Sequence, residues 1–129
     1  MARDIDFEGI KGSSYVTFKS ALVKGVDEGK LVKLSANGTV VVAADGENFI
    51  GIVRIIDGQD KAASVQIDGF VEVLYDADHI PTVADGQGWQ ALSAGALPTK
   101  VMAQTEAATV PLRMVVEVDT VALTVTFKL

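Results

Sequence analysis

The chain has 129 residues, which is the length of one domain, and its formal net charge is −6. A chain of this length buries roughly two-thirds of its unfolded surface, so its core needs no metal or disulfide. It contains no cysteine, which excludes disulfides, thiol nucleophiles and cysteine-ligated metals. The acidic surplus lies on residues 31–129. Because it repels phosphate, we expect neither nucleic acid nor an anionic membrane as a partner.

The first fourteen residues differ from the rest in composition. They are polar and glycine-containing, with isolated apolar residues at Ile5, Phe7 and Ile10. We predict a flexible N-terminal arm over residues 1–14, which either orders on a partner or is an ordinary frayed terminus. A single β domain is predicted over residues 15–129. No signal-peptide core and no apolar run of about 18 residues is present, so we expect a soluble protein made in a cytoplasm.

Glycine-containing turn dipeptides recur along the chain. They are Asn37-Gly38, Asp45-Gly46, Asp57-Gly58, Asp68-Gly69 and Asp85-Gly86. Glycine adopts the positive φ of a tight turn without a steric penalty. Short β-branched runs separate these turns, a spacing of about 8–12 residues that is typical of a barrel or sandwich. No stretch has a sustained helical period, and the predicted fold class is therefore all-β.

The first predicted hairpin joins Lys30–Ser35 to Thr39–Ala44 around the Asn37-Gly38 turn. The next run, Phe49–Ile56, is apolar on both faces, which indicates a central strand or a strand that a second subunit covers. Ala62–Asp68 then alternates between apolar and polar residues, and Phe70–Tyr75 follows across a glycine. From the two-faced strands we predict a subunit interface that includes Phe49, Ile52, Phe70 and Tyr75.

The end of the chain has the clearest strand pattern. Alternate residues place Val121, Leu123, Val125, Phe127 and Leu129 on one face. Leu112–Val118 precedes this strand and is predicted to pair with it. The stretch Thr99–Thr109 is ambiguous between strand and a helical turn.

Two segments of the chain resemble each other. Residues 28–38 are similar to residues 85–95, with one gap, and each is followed by a loop and two β-rich strands. This similarity predicts two half-domains of similar β architecture. Chance similarity between strands rich in glycine, leucine, serine and alanine is the alternative.

The chain offers few groups for catalysis or metal binding. Its one histidine, His79, lies beside Asp76 and Asp78, but neighbouring strand residues point to opposite faces, and a solvated loop is favoured over a metal site. We predict no catalytic residues, no cofactor, no metal and no small-molecule substrate. Trp89 is the one tryptophan; it is either a sugar-stacking platform or a core anchor, and we favour the core.

The order of elements from residue 22 to the C-terminus resembles the head decoration (capsid cement) proteins of tailed bacteriophages. The resemblance is carried by Lys30–Leu34, Asn37–Val41, Ile50–Val53 and Ala63–Val73, and by the β-rich continuation over residues 85–129. It implies a non-enzymatic virion protein on the capsid exterior that binds the phage major capsid protein. It also implies a homotrimer that grips the expanded head with an N-terminal arm, a role in which Ile5, Phe7 and Ile10 would contact the capsid.

Two other functions are compatible with the sequence. One is a glycan- or receptor-binding β module of a phage tail, fibre or bacterial surface, for which Trp89 would be the sugar platform. The other is a small β-barrel enzyme, which the missing catalytic set disfavours.

Overall fold

The computed structural model describes residues 14–59, 61–83, 87–104 and 110–129, and these residues form ten β-strands and no helix. The strands are β1 Tyr15–Ser20, β2 Leu31–Ala36, β3 Thr39–Val42, β4 Gly51–Asp57, β5 Ala62–Gln66, β6 Phe70–Tyr75, β7 Trp89–Ala94, β8 Lys100–Ala103, β9 Leu112–Asp119 and β10 Thr124–Lys128. The predicted all-β fold is confirmed. No described segment is a helix that could cross a bilayer. The predicted arm, with Ile5, Phe7 and Ile10, lies outside the described residues except for Ser14.

The ten strands form two closed barrels of five strands each. The N-terminal barrel has the order β1-β3-β2-β4-β5, and the C-terminal barrel has the order β6-β8-β7-β9-β10. In each barrel the first strand pairs parallel with the third and antiparallel with the fifth. The second half of the chain therefore repeats the topology of the first, and the prediction of two similar β halves is confirmed.

The repetition extends to single backbone hydrogen bonds. Where each barrel closes its first strand on its last, Ile67 N donates to Ser14 O and Leu129 N donates to Gly69 O, both at 2.9 Å. These bonds show that the two barrels have the same register at the seam as well as the same strand order.

Both barrels also have a β-bulge at the same place. Along the pairing of β4 with β5 the register skips Arg54, and along the pairing of β9 with β10 it skips Val116. A bulge bends its strand and increases its twist, which helps a sheet of only five strands to close.

Strand alternation decides which side chains fill each barrel. In β4, Val53 points into the N-terminal barrel, while its neighbour Ile52 points outward. The N-terminal barrel is filled by buried Val32, Val40, Val53, Ile56, Ala63 and Val65. The core of the C-terminal barrel includes Val71, Tyr75, Leu92, Val101, Val115, Val125 and Phe127, and it also takes in Leu31, Ala43, Phe49 and Ile52 from the first half.

The two barrels pack against each other through this shared core. The Phe49 ring meets the Phe127 ring edge-on, with 6.0 Å between centroids. Backbone hydrogen bonds also join the two barrels there. Gly46 N donates to Ala94 O at 2.8 Å, and Ala94 N donates to Glu47 O at 2.9 Å. Phe49 and Ile52, on the second apolar face of Phe49–Ile56, are therefore covered by the other half of the same chain, whereas Ile55 is exposed.

Most of the predicted strands are present, with shifted ends. The hairpin around Asn37-Gly38 and the pairing of Leu112–Asp119 with the C-terminal strand are confirmed. The last strand begins at Thr124 and not at Val121. Leu123, directly before it, has a φ of 59°, which is not compatible with an extended strand. Two strands were not predicted: β1, which follows directly on the predicted arm, and β8, which lies in the ambiguous stretch Thr99–Thr109.

Candidate interaction surface

An exposed apolar pair lies on the outside of the C-terminal barrel. Trp89 of β7 is directly opposite Met114 of β9. Val115, the next residue along β9, is completely buried inside the barrel, so Met114 and its partner Trp89 lie on the outer face. Trp89 is 46 % exposed. The prediction that Trp89 is a core anchor is therefore wrong.

The Trp89–Met114 pair forms one side of a shallow groove of about 290 Å³. The groove is lined by Trp89, Pro111, Leu112, Arg113, Met114, Lys128 and Leu129. Leu112 is also well exposed, and its neighbours in the groove are mostly apolar. Exposed apolar side chains scattered singly are ordinary, but a contiguous group of them marks a site of interaction.

Lys128 contributes little net charge to the groove. Its ammonium lies 3.0 Å from Oδ1 of Asp68. The hydrogen bond from Lys128, together with one from Gly69 N, holds the pKa of the Asp68 carboxyl below its ordinary value. This ion pair is half exposed, so it contributes little to the stability of the fold. It does, however, balance the charge of the one ammonium that lines the groove with a carboxylate.

The apolar surface continues from the groove onto β6. Phe70 lies directly opposite Lys128 in the pairing of β6 with β10, and its ring is partly exposed. Trp89, Met114, Lys128 and Phe70 therefore follow one another across four neighbouring strands of the C-terminal barrel, β7, β9, β10 and β6. We call these four residues the outer row.

Arg113 anchors the groove to the other barrel. Its guanidinium lies over the Phe49 ring, 4.2 Å from the centroid, and Nη2 donates to Phe49 O at 2.6 Å. Burial lowers the pKa of Arg113, although a guanidinium remains charged. Its Nε atom is buried and has no hydrogen-bond partner among the described residues. Arg113 therefore fixes the barrel-to-barrel contact and lies beneath the groove.

The residues predicted to form a subunit interface are in different places. Phe49, Ile52 and Tyr75 are buried inside the chain's own core, so a second subunit cannot reach them. The physical reason is the packing of one barrel on the other, which gives a two-faced strand an intramolecular cover. Phe70 is accessible and belongs to the outer row.

The acidic loop around His79 is a turn in which Asp76 contacts the two neighbouring residues Asp78 and His79. Asp76 accepts a hydrogen bond from Asp78 N at 3.0 Å, and its other oxygen lies 3.4 Å from Nδ1 of His79. The bond from Asp78 N is the main cause that lowers the pKa of Asp76. In the described part of the chain, no three histidine or carboxylate side chains are grouped to hold a metal.

Comparison with protein-family models finds no match for this chain, and comparison with curated proteins finds none either.

Proposed function

We propose that this protein is a head decoration protein of a tailed bacteriophage, which binds the outer surface of the expanded capsid and stabilises it. The observation that carries the proposal is the outer row with its groove, a largely apolar surface whose one ammonium is paired with a carboxylate. Such a surface suits contact with another protein. The resemblance of residues 22–129 to decoration proteins supplies the kind of partner.

The two-barrel architecture is suited to a protein that holds neighbouring capsid subunits together. The described strands close into barrels, which leaves none of them as an edge strand at which a chain could aggregate or be drawn into another sheet. The shared core and the Arg113–Phe49 contact join the two barrels into one unit. A rigid unit loses little conformational entropy when it binds, so more of the contact energy is available to hold capsid subunits together.

The proposed mechanism is that binding of this protein stabilises the assembled capsid through thermodynamic linkage. A ligand that binds the assembled lattice, and not the dissociated subunits, shifts the equilibrium toward the assembled state. Capsid subunits move during head maturation, so a clamp that spans several of them is matched to the expanded geometry. With many sites on each shell, about 1 kcal/mol per site sums to a large effect.

The direct test is sedimentation of the purified protein with expanded heads and, separately, with unexpanded proheads. We expect saturable binding to expanded heads, little binding to proheads, and decorated heads that resist heat better than bare heads. Equal binding to both forms, or no gain in heat resistance, would show that the protein is not a capsid cement. Mass spectrometry of purified particles gives the copy number.

A second candidate, a glycan-binding module, is favoured by the exposure of Trp89. Its ring lies at the edge of an open groove, where a sugar ring could stack, and Arg113 and Lys128 supply polar groups in the same groove. Titration with oligosaccharides while Trp89 fluorescence is recorded tests this function. A saturable change that Trp89→Phe weakens, together with no affinity for heads, would replace the capsid proposal.

A further inference from the structure

The predicted arm joins the N-terminal barrel beside the outer row. Ser14 is the one described residue of the arm, and Ser14 O accepts a hydrogen bond from Ile67 N at 2.9 Å. The chain that follows Ile67 leads directly to Phe70, the first residue of β6 and one end of the outer row. Leu129, which lines the groove, donates to the intervening Gly69 O at 2.9 Å. The arm is therefore attached next to the surface that is proposed to bind the capsid.

The direction of β1 points the start of the chain toward the outer row. β1 runs antiparallel to β5, with Tyr15 opposite Gln66. At Ser14 the chain, followed toward its N-terminus, is therefore directed the same way as the chain that leaves β5, and that chain leads to Phe70.

The arm is long enough to cover the outer row. The four strands that carry the row span about 14 Å, because neighbouring strands lie about 4.8 Å apart. An extended chain advances about 3.3 Å per residue, so it spans about 17 Å from Ile5 to Ile10 and about 13 Å from Ile10 to Ser14. Ile10 is thus within reach of Phe70, and Ile5 is within reach of Trp89.

The composition of the arm fits an apolar surface. Ile5 and Phe7 alternate with three carboxylates, Asp4, Asp6 and Glu8. In an extended chain alternate residues point to opposite sides, so both apolar side chains can face the row while the carboxylates face solvent. The chain can change direction at Gly9, which allows Ile10 to face the same side as Phe7.

The outer row offers a place for an aromatic side chain. The groove of about 290 Å³ is large enough for one aromatic ring, and its wall includes the partly exposed Trp89 and the well-exposed Leu112. An aromatic ring on the indole of Trp89 would form the offset-stacked or edge-to-face contact that aromatic pairs prefer. Phe7 is the aromatic residue of the arm.

We propose that in the free protein the arm lies across the outer row, with Phe7 in the groove beside Trp89 and Ile10 against Phe70. The occupant of this apolar surface is thus a segment of the same chain. Tethering gives the arm an effective concentration in the millimolar range, so even a weak contact covers the row for much of the time. Such a contact is reversible, and a partner that binds the row more tightly displaces the arm.

The consequence for capsid binding rests on the proposed function. A head and the arm compete for the outer row, and the displaced arm becomes available to grip the capsid. A free copy therefore keeps its apolar surface covered until it meets a head, which limits association with other proteins.

Trp89 is the one tryptophan of the chain, so its fluorescence reports on the groove in the absence of heads. An apolar variant carries Ile5→Ser, Phe7→Ser and Ile10→Ser, and its matched control carries Asp4→Ser, Asp6→Ser and Glu8→Ser. We expect the apolar variant to have red-shifted emission and an acrylamide quenching constant about twofold above that of the wild type, since a ring on one face of the indole shields roughly half of it. The control should match the wild type, and thermal unfolding establishes that each variant is folded.

Two results of this experiment would overturn the proposal. One is an apolar variant with the emission and the quenching constant of the wild type. The other is a control that changes as much as the apolar variant, because the effect would then not come from apolar contact.

A disulfide tests both the position of the arm and its displacement. Gly9→Cys with Lys128→Cys places two cysteines in an otherwise cysteine-free chain and keeps the three apolar residues of the arm. The control pair is Gly9→Cys with Val121→Cys, since Val121 is 93 % exposed in the turn at the opposite end of β10. In dilute protein under mild oxidation, the first pair should crosslink at least about tenfold faster than the control pair, because a disulfide requires Cα atoms within about 7 Å.

The oxidised Gly9–Lys128 variant should not sediment with expanded heads, and reduction should restore its binding. Equal crosslinking rates in the two pairs would refute the contact of the arm with the outer row. An oxidised variant that binds heads normally would refute the competition between arm and head. A reduced variant and a wild type that both fail to bind heads would contradict the proposed function, whereas the fluorescence and crosslinking results would still establish the arm contact.

Discussion

Lys61 and Leu123 occupy the same position in the two barrels and share a backbone conformation that is unusual for such residues. Each directly precedes the last strand of its barrel, with φ of 53° for Lys61 and 59° for Leu123. The carbonyl of each accepts a bond from the last residue of the first strand, Ser20 N at 2.9 Å and Tyr75 N at 3.0 Å. They are the two non-glycine residues with positive φ in the described chain. The fold thus requires this strained turn in both halves.

Replacing Lys61 with glycine should stabilise the protein. Glycine adopts positive φ without the steric penalty that a β-carbon incurs, and the exposed Lys61 side chain gives up little burial, so we expect a gain of about 0.5–1 kcal/mol after the entropic cost of glycine. Urea unfolding measures the change. Gln59→Gly, at an exposed neighbouring position without positive φ, is the control and should give no gain. Equal effects at the two positions would argue against strain at Lys61.

Gly51 should not tolerate a larger side chain. A β-carbon there would lie 2.1 Å from Gln66 O, a backbone atom that cannot move without disturbing the pairing of β4 with β5. We expect Gly51→Ala to cost at least about 1–3 kcal/mol, which is the range for overpacked positions. Gly58→Ala is the control, because a β-carbon at Gly58 meets open space. A Gly51→Ala variant with the unfolding midpoint of the wild type would contradict the close approach.

Arg113 should contribute to stability through the contact between the barrels. Arg113→Ala leaves Phe49 O without its donor and removes the cation from the Phe49 ring. Hydrogen bonds to charged groups are worth about 1.5–3 kcal/mol, so we expect a loss of that size in urea unfolding. Arg54→Ala, which removes an arginine bonded to Gln66 within one barrel, should cost less. Similar losses would mean that Arg113 has no special role between the barrels.

Asp27 should make stability depend on acid pH. Its carboxylate accepts bonds from Lys30 Nζ at 2.7 Å and from Val23 N at 2.8 Å, and these lower its pKa from the ordinary 3.8. A depressed pKa stabilises the fold above the unfolded-state value, and this stabilisation is lost as the pH falls through the folded-state pKa. Asp27→Asn should therefore be less stable than the wild type at about pH 7, and the difference should shrink as the pH falls below the ordinary pKa of 3.8. A difference that persists unchanged in acid would show that the charge of Asp27 is not its cause.

The predicted arm, residues 1–14, should contribute to head binding and little to folding. Both described cores are built from residues after Ser14, so a chain that lacks residues 2–13 should keep its melting temperature. Its binding to expanded heads should weaken, because the proposed decoration function has the arm, with Ile5, Phe7 and Ile10, grip the capsid. Substituting all three with serine in the full-length chain separates their contribution from that of chain length. Loss of folding with normal head binding would reverse the assignment.

Much of the local structure was predictable because it depends on neighbouring residues. The Asn37-Gly38 turn forms since Gly38 readily takes a φ of 63°, and the flanking β-branched residues form a hairpin around it. The similarity of residues 28–38 to residues 85–95 likewise indicated two similar halves. These features need only short-range sterics and strand alternation, which the sequence contains directly.

The sequence by itself thus determined the all-β class, most of the strands and the repeated architecture, whereas only the tertiary structure decided which apolar faces are covered. Ile52 and Trp89 are both outward-facing residues of strands with apolar neighbours, yet one is buried and the other is half exposed. Alternation separates the two faces of a strand but carries no information about what packs on either face. That depends on how distant strands close into barrels and how one barrel packs on the next, including the parallel pairings of β1 with β3 and β6 with β8. Those contacts join residues far apart in the chain, and no local pattern records them.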